Sequence, residues 1–323
     1  MQMAQVHLTK IQNNYLCVVS KTQIIQAHIA LFVVNMLYGA NHVLAKGLMP
    51  QFIDPTSFIL LRVSGAVALF WILLCFQKTK RIEPKDWWRF FAAGLFGVAI
   101  NQLFFFHGLN LSSALNAGII MALNPLMVFV LAVIIAKERM SKINGLGVLI
   151  GATGAILLTL SSGRSAGSST LGDLFLLINA LSYALYLVIS KPLLQKYSPL
   201  QVITYVFSIG FMLLLLFPPT WQEFSKVEFS TFPLSVWYKI IYVIVGVTFL
   251  TYLLTIFGLK YVGATVSAAY IYTQPIMVIV FMVVFATIGW TENYSHTITL
   301  GRLLYMLFIF MGVYLVSFHK TKQ

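Results

Sequence analysis

Ten apolar stretches, each of the roughly 17 to 25 residues that a bilayer-crossing helix needs, dominate this chain. They lie near residues 24–45, 56–76, 88–108, 113–135, 143–161, 172–191, 200–217, 237–258, 264–286 and 300–318. Only 9% of the residues are charged and 59% are hydrophobic. Soluble chains carry about 25% charged residues. A water-soluble globule needs a polar surface that this composition cannot supply, so lipid is the expected solvent. A transmembrane barrel would read as short alternating segments; these continuous runs predict an all-α integral membrane protein with ten transmembrane helices.

The net charge of +13 serves topology and excludes a nucleic-acid partner. Basic residues sit in short connections rather than on one polar face. With both termini placed in the cytoplasm, 15 of the 21 Lys and Arg fall on that side, 5 on the other, and Arg62 stays within the second run. That bias is the positive-inside pattern. Cys17 and Cys75 are too few for a disulfide framework and have no metal-ligand spacing. Residues 1–20 hold no apolar stretch long enough for a cleavable signal.

The chain also repeats itself. A shift of 150 residues lays "FHGLNLSSALNAGIIMALNPLMV" on "FGLKYVGATVSAAYIYTQPIMV", with Gly108 on Gly258, Ala114 on Ala264, Asn124 on Gln274 and Pro125 on Pro275. "YGANHVLAKGLMPQFIDP" matches "YALYLVISKPLLQKYSP", with Tyr38 on Tyr183 and Lys46 on Lys191. Gly154 and Gly312 relate the fifth and tenth runs. The unit is five helices, residues 24–160 and then 171–318. Because five is odd, the second copy enters the membrane from the opposite side. The expectation is therefore two inverted five-helix repeats, the architecture of many secondary transporters, whose substrate sites lie at the repeat interface. Pro125 and Pro275 are expected to break their helices near mid-membrane, leaving the carbonyls of Met121 and Ile271 without their usual donors.

Polar residues inside apolar runs are costly and mark candidate sites. Asn35, Tyr38 and His42 share one helical face, and Asn41 adjoins it; Asn179, Tyr183 and Tyr186 form a similar stripe in the second half. Arg62, Asn124, Tyr272 and Gln274 complete the expected solute pathway. For Arg62 and Lys46 the alternative is snorkelling to an interface, and for the histidines it is simple packing. Gly147, Gly151 and Gly154 are small-residue positions that suit either an internal helix contact or a dimer seam, so a monomer is expected and a homodimer stays open. All eight acids fall in loops or near helix ends. No paired carboxylates, metal-ligand cluster or Ser-His-acid arrangement is in evidence, so neither an enzyme nor a bound metal or cofactor is expected. A secondary transporter of a small molecule in the lipid bilayer fits best, with a channel or scramblase as the alternative and an intramembrane enzyme behind both.

The doubled five-helix unit resembles the EamA-type drug/metabolite transporters. "YGANHVLAK" looks like the family's first-helix pattern, "SFILLRVSGA" like its second-helix Arg, here Arg62, and "GLNLSSALNAGIIMALNPLMVFVLAVIIAKERMS" like its small-residue fourth helix, with Pro125 and a closing Glu138. The likeness implies a permease of a bacterial inner membrane that moves small organic solutes such as amino acids, with export the expected direction. Two departures stand out. Tyr38 replaces the common Trp, and Val206 occupies the second-half position of Arg62.

Overall fold

Lipid offers a backbone no hydrogen bonds, so each apolar run satisfies its own by winding into helix. The computed structural model describes residues 21–136, 141–162, 169–255, 257–258, 261–262 and 270–318, and no strand occurs among them. Cys17, Glu138 and Ala264 lie outside the described residues. The helices are α1 (Lys21–Leu48), α2 (Pro55–Cys75), α3 (Pro84–Leu111), α4 (Ala114–Met121), α5 (Asn124–Ala136), α6 (Lys142–Ser162) and α7 (Thr170–Lys196). They are followed by α8 (Pro199–Leu215), α9 (Pro218–Phe224), α10 (Leu234–Thr255), α11 (Gln274–Thr287) and α12 (Leu300–Phe318).

Among the described residues, seven helical stretches are long and apolar enough to cross a membrane. These are α1, α2, α3, α7, α10, the α4–α5 stretch and α11 with the turn before it. The pair α8–α9 makes an eighth if its 78° bend is counted as one span. The remaining apolar runs form α6 and α12. A methyl group on Gly312 would lie 2.4 Å from the Gly151 nitrogen, and one on Gly154 2.9 Å from Phe308 Cβ. The small-residue stripe of α6 is thus occupied by α12 of the same chain.

The expectation that Pro125 and Pro275 interrupt continuous helices needs correction. The break falls at Ala122–Leu123, where two i→i+3 bonds close α4 (Ala122 N to Ile119 O, 3.2 Å; Leu123 N to Ile120 O, 3.0 Å). Pro125 is then the second residue of α5. Pro275 stands likewise at the start of α11, after a 3₁₀ turn over Tyr270–Thr273. In a helix's first turn the N–H has no intrahelical partner to lose, so proline is tolerated there.

Two wide π-helical turns, Leu95–Ala99 in α3 and Tyr242–Leu250 in α10, have no counterpart in the sequence reading. Shifted by the same 150 residues, the first falls within the second.

The closest helix contacts also come in exchanged pairs. A methyl group on Gly94 would lie 2.7 Å from Ile209 Cγ2, and one on Gly65 would lie 2.7 Å from Ile244 Cγ2. Residue 94 corresponds to 244 and residue 65 to 209 in the two copies, so each contact is the other with its partners exchanged. The same holds for Gly108 against Leu176 (2.9 Å) and Gly258 against Leu31 (2.5 Å). A helix pair packed this closely has no room for a side chain. Gly94→Val is expected to destabilise the protein by about 1–3 kcal/mol. Gly301→Ala, whose nearest neighbour would be 3.7 Å away, should be near neutral. Thermal unfolding in detergent measures both.

Candidate functional site

Arg62 projects from α2 into the middle of the helix assembly and is only 6% exposed. The snorkelling alternative does not describe it. Its Nε donates to Thr248 Oγ1 of α10 (2.6 Å), and its Nη1 donates to Gln102 Oε1 of α3 (2.8 Å). The guanidinium also lies 5.0 Å from the centre of the Phe106 ring. Each partner owes its position to a π-helical turn: Thr248 lies within the one in α10, and Gln102 follows shortly after the one in α3. Gln102 leads on to Asn101 (3.4 Å), and Asn101 exchanges hydrogen bonds with Asn179 of α7, each amide nitrogen donating to the other's backbone carbonyl (3.4 and 2.8 Å).

Around Arg62 gather four tyrosines. Tyr38 (α1), Tyr183 and Tyr186 (α7) and Tyr252 (α10) lie within electrostatic reach of one another, and Tyr38 and Tyr252 within reach of Arg62. The Tyr38 hydroxyl is hydrogen-bonded to Thr251 (3.2 Å). Tyr183 and Tyr186 have ring centres 5.8 Å apart. Tyr186 lies so flat on Gly97 that a methyl group there would meet its ring at 2.5 Å. Tyr252 sits edge-on to Phe207 (5.1 Å) and Phe70 (6.0 Å). Tyr38, Tyr183 and Tyr252 are partly rather than fully buried. Tyr252, Thr248 and Thr251 were not singled out in the sequence. They stand at i, i+3 and i+4 in "YVIVGVTFLTYLL", a same-face spacing that the sequence reading passed over in an otherwise apolar run.

The remaining candidates occupy three other places. Gln274 Nε2 donates to Asn35 Oδ1 (2.9 Å), whose own amide nitrogen donates to the Leu31 carbonyl (2.8 Å). That hydrogen bond joins α1 to the start of α11. Asn124, the counterpart of Gln274, has no such partner, because the position corresponding to Asn35 is Ala180. Its Nδ2 reaches only Met121 Sδ (3.9 Å), and its Oδ1 is buried without a donor. His42 donates from Nδ1 to the Tyr38 carbonyl (2.6 Å) and packs edge-on against Phe105 (5.3 Å). That bond fixes the tautomer, so Nε2 presents a lone pair; it is buried without a partner, as is Asn41 Oδ1.

Tyr272 stands apart. It packs on Phe310 (5.5 Å) in an apolar groove along α12, lined also by Leu304, Leu307 and Met311. Its turn is 3₁₀, with three residues per turn in place of 3.6, so the helical phase of Gln274 does not extend back to it. Lys46, offered in the sequence as a snorkelling residue, donates to the Asn110 carbonyl near the end of α3 (2.5 Å).

Both ends of the assembly carry buried acids. Where α2 joins α3 and α7 joins α8, Asp86 (1% exposed) accepts from Lys196 (2.9 Å), the Tyr197 hydroxyl (2.9 Å) and Arg89 (3.2 Å). Gln201 brackets the Lys80 backbone with two further bonds (3.1 and 2.6 Å). Glu83 joins this clasp, and the hydrogen bond from Lys85, with help from Lys196, holds its carboxyl below the usual carboxylate range. At the other end Asp173 is fully buried, accepting from Ser112 and from Asn116 Nδ2 (2.9 Å to Oδ2), with Arg302 in electrostatic range. The sequence placed Asp173 correctly near a helix end but gave no sign of its burial, since Ser112 and Asn116 lie about 60 residues away, at the α3–α4 connection and on α4.

Residues 25–160 and again 170–318 match the EamA-like transporter family. The chain belongs to that family. Among the relatives of this EamA chain is the uncharacterized transporter YyaM of Bacillus subtilis (strain 168), 30% identical over 259 residues that cover 78% of this chain and 84% of YyaM. The WAT1-related protein At3g53210 of Arabidopsis thaliana is 23% identical, covering 91% of this chain and 86% of its own. A solved structure with 18% identity aligns over 91% of this chain and 95% of its own, with a TM-score of 0.54, which speaks to the fold alone. The EamA chain is a multi-pass membrane transporter and not an enzyme.

The Asn35–Gln274 bond offers a test of the geometry. Asn35→Leu alone strands a buried amide and should cost about 1–3 kcal/mol. Adding Gln274→Leu should restore much of that loss, a pattern that thermal unfolding of the two single variants and the double variant would reveal.

Proposed function

We propose that this transporter moves a small organic solute, an amino acid or a related compound, by alternating access around the Arg62 cluster. The carrying observation is the bond from Arg62 in the first half to Thr248 in the second: the polar centre is assembled from both copies of the repeat. The reading takes the chain as ten spans in two inverted five-helix units, residues 24–160 and 171–318. The exchanged contacts at Gly65, Gly94, Gly108 and Gly258 support it, as do the matching π turns. Both termini lie in the cytoplasm by the distribution of basic residues, the membrane is a bacterial inner membrane, and the direction is export.

In this scheme the solute pathway is lined by Tyr38, Arg62, Tyr183 and Tyr186, with Asn41, His42 and Asn124 offering unpaired polar atoms beside it. Asn35 and Gln274 hold α1 to the broken α11 region. The clasp at Asp86 and the acid site at Asp173 close opposite ends of the assembly and open in turn. A wide aqueous pore is the competing reading. Two features favour a carrier: among the described residues the buried acids Asp86 and Asp173 lie at the two ends, and the buried Arg62 stands between them.

Reconstitution into proteoliposomes decides between the two. The carrier reading predicts saturable solute flux that is stimulated by solute on the opposite side. Single-channel conductance steps would contradict it. Cysteines placed at Tyr38, Tyr183 and Asn124 should react with water-soluble maleimides, and failure at all three in both membrane orientations would remove the proposed pathway.

A further inference from the structure

The Arg62 guanidinium is more than nine-tenths buried, yet it faces no carboxylate among the described residues. Its protein partners, Thr248, Gln102 and the Phe106 ring, are all neutral. They engage Nε and Nη1 and, among the described residues, leave Nη2 without a protein hydrogen bond. The carboxylates that come closest to the helix interior are committed elsewhere. Asp54 caps α2, Asp86 is held in the clasp, and Asp173 is bound by Ser112 and Asn116. Glu83, Glu223, Glu228 and Glu292 stand in connections or short flanking helices. Among the described residues the cluster therefore carries one positive charge and no negative one.

Burying a cation without a countercharge is expensive, and a bound anion removes most of that cost. A guanidinium with a free terminal nitrogen offers a charge-assisted hydrogen bond to a carboxylate oxygen. The surrounding surface is aromatic: Tyr38, Tyr183, Tyr186 and Tyr252, with Phe207 and Phe70 behind Tyr252. Such walls suit a flat apolar body rather than a strongly hydrated one. An ammonium group finds nothing comparable here. Asn41 Oδ1 and His42 Nε2 are the unpaired acceptors on the same face of α1 as Tyr38, and both are neutral. They fit a single N–H or O–H donor better than a cation with three donors.

We infer that the solute is an organic monoanion, an aromatic carboxylate held through Arg62, and that an amino group contributes nothing to its recognition. This rests on the reading that the Arg62 cluster is the transport site, and it narrows that site's substrate class from amino acids in general to carboxylates with a ring.

Thermal unfolding of the full chain in detergent tests it with four probes of one shape: 3-phenylpropionate, its amide, phenylalanine and phenethylamine. The expected result is saturable stabilisation by 3-phenylpropionate, with phenylalanine no better and the amide and amine without effect. Arg62→Gln should weaken 3-phenylpropionate by about tenfold or more, and Arg62→Lys should retain part of the affinity. The comparison of probes on the unaltered protein stands even if Arg62→Gln folds poorly. Stabilisation by phenethylamine or the amide equal to that by the carboxylate would overturn the inference. So would unchanged carboxylate affinity in folded Arg62→Gln, or no stabilisation by 3-phenylpropionate. In proteoliposomes the two readings fail separately. Saturable, trans-stimulated flux of an amine or neutral solute only would refute the anion and keep the carrier. Carboxylate binding without flux would do the reverse.

Discussion

One cation without a countercharge organises the centre of this protein. Arg62 lies inside an apolar helix, where a charged group costs several kcal/mol unless its surroundings are polar. The protein meets that need with Thr248 and Gln102, one from each half of the chain, and with a ring beneath the guanidinium. Because neither half can solvate the charge alone, the halves are bound to each other at the point where a solute would have to pass. The same arrangement leaves the site incomplete. A guanidinium satisfied only by neutral groups gains most from an anion, and a carrier that binds its solute through such a gain has a reason to change state when the solute arrives.

The irregular backbone segments serve this centre. Wide π turns in α3 and α10 reset the helical phase immediately around Gln102 and Thr248, and π turns of this kind recur at functional sites. The interruptions at Ala122–Leu123 and Tyr270–Thr273 place Asn124 and Gln274 at the first residue of a new helix. The two halves are alike without being identical. Gln274 has Asn35 as its partner, whereas Asn124 meets Ala180; Arg62 has Val206 as its counterpart. In the proposed mechanism, a symmetric scaffold with an asymmetric lining would let the assembly rock between two similar packings while holding one solute in one orientation.

Much of this was legible in the sequence, because lipid imposes a simple rule on length and polarity. Most of the apolar runs became helices within a few residues of their expected bounds, although the fourth is split at Ala122–Leu123 and the start of the ninth lies outside the described residues, and the residue shifts relating the two halves also relate their closest contacts. Arg62, Tyr38, Tyr183 and Tyr186 could be singled out because each is conspicuous on an apolar helix face. Three things were hidden. The π turns depend on tertiary packing and leave no mark in composition, and the same-face pair Thr248 and Tyr252 was overlooked within a strongly apolar run. The 3₁₀ turn rotated Tyr272 onto the outer surface beside Phe310. The prolines looked like helix breakers when they are helix starters, since sequence alone cannot distinguish the last turn of one helix from the first of the next.

The clasp at Asp86, Lys196, Tyr197 and Gln201 joins the α2–α3 connection to the α7–α8 connection, and Asp173 ties α7 to α4 at the far end. Both are formed in this structure, and the proposed alternating access requires that they never open together. Pulsed EPR distances measure that directly, with one pair of spin labels at Lys78 and Leu200 beside the clasp and another pair at Leu111 and Leu171 beside Asp173. The account predicts two distance populations for each pair, with the solute shifting the two pairs in opposite directions. Single distributions that do not respond to solute, or lengthening at both ends together, would contradict it.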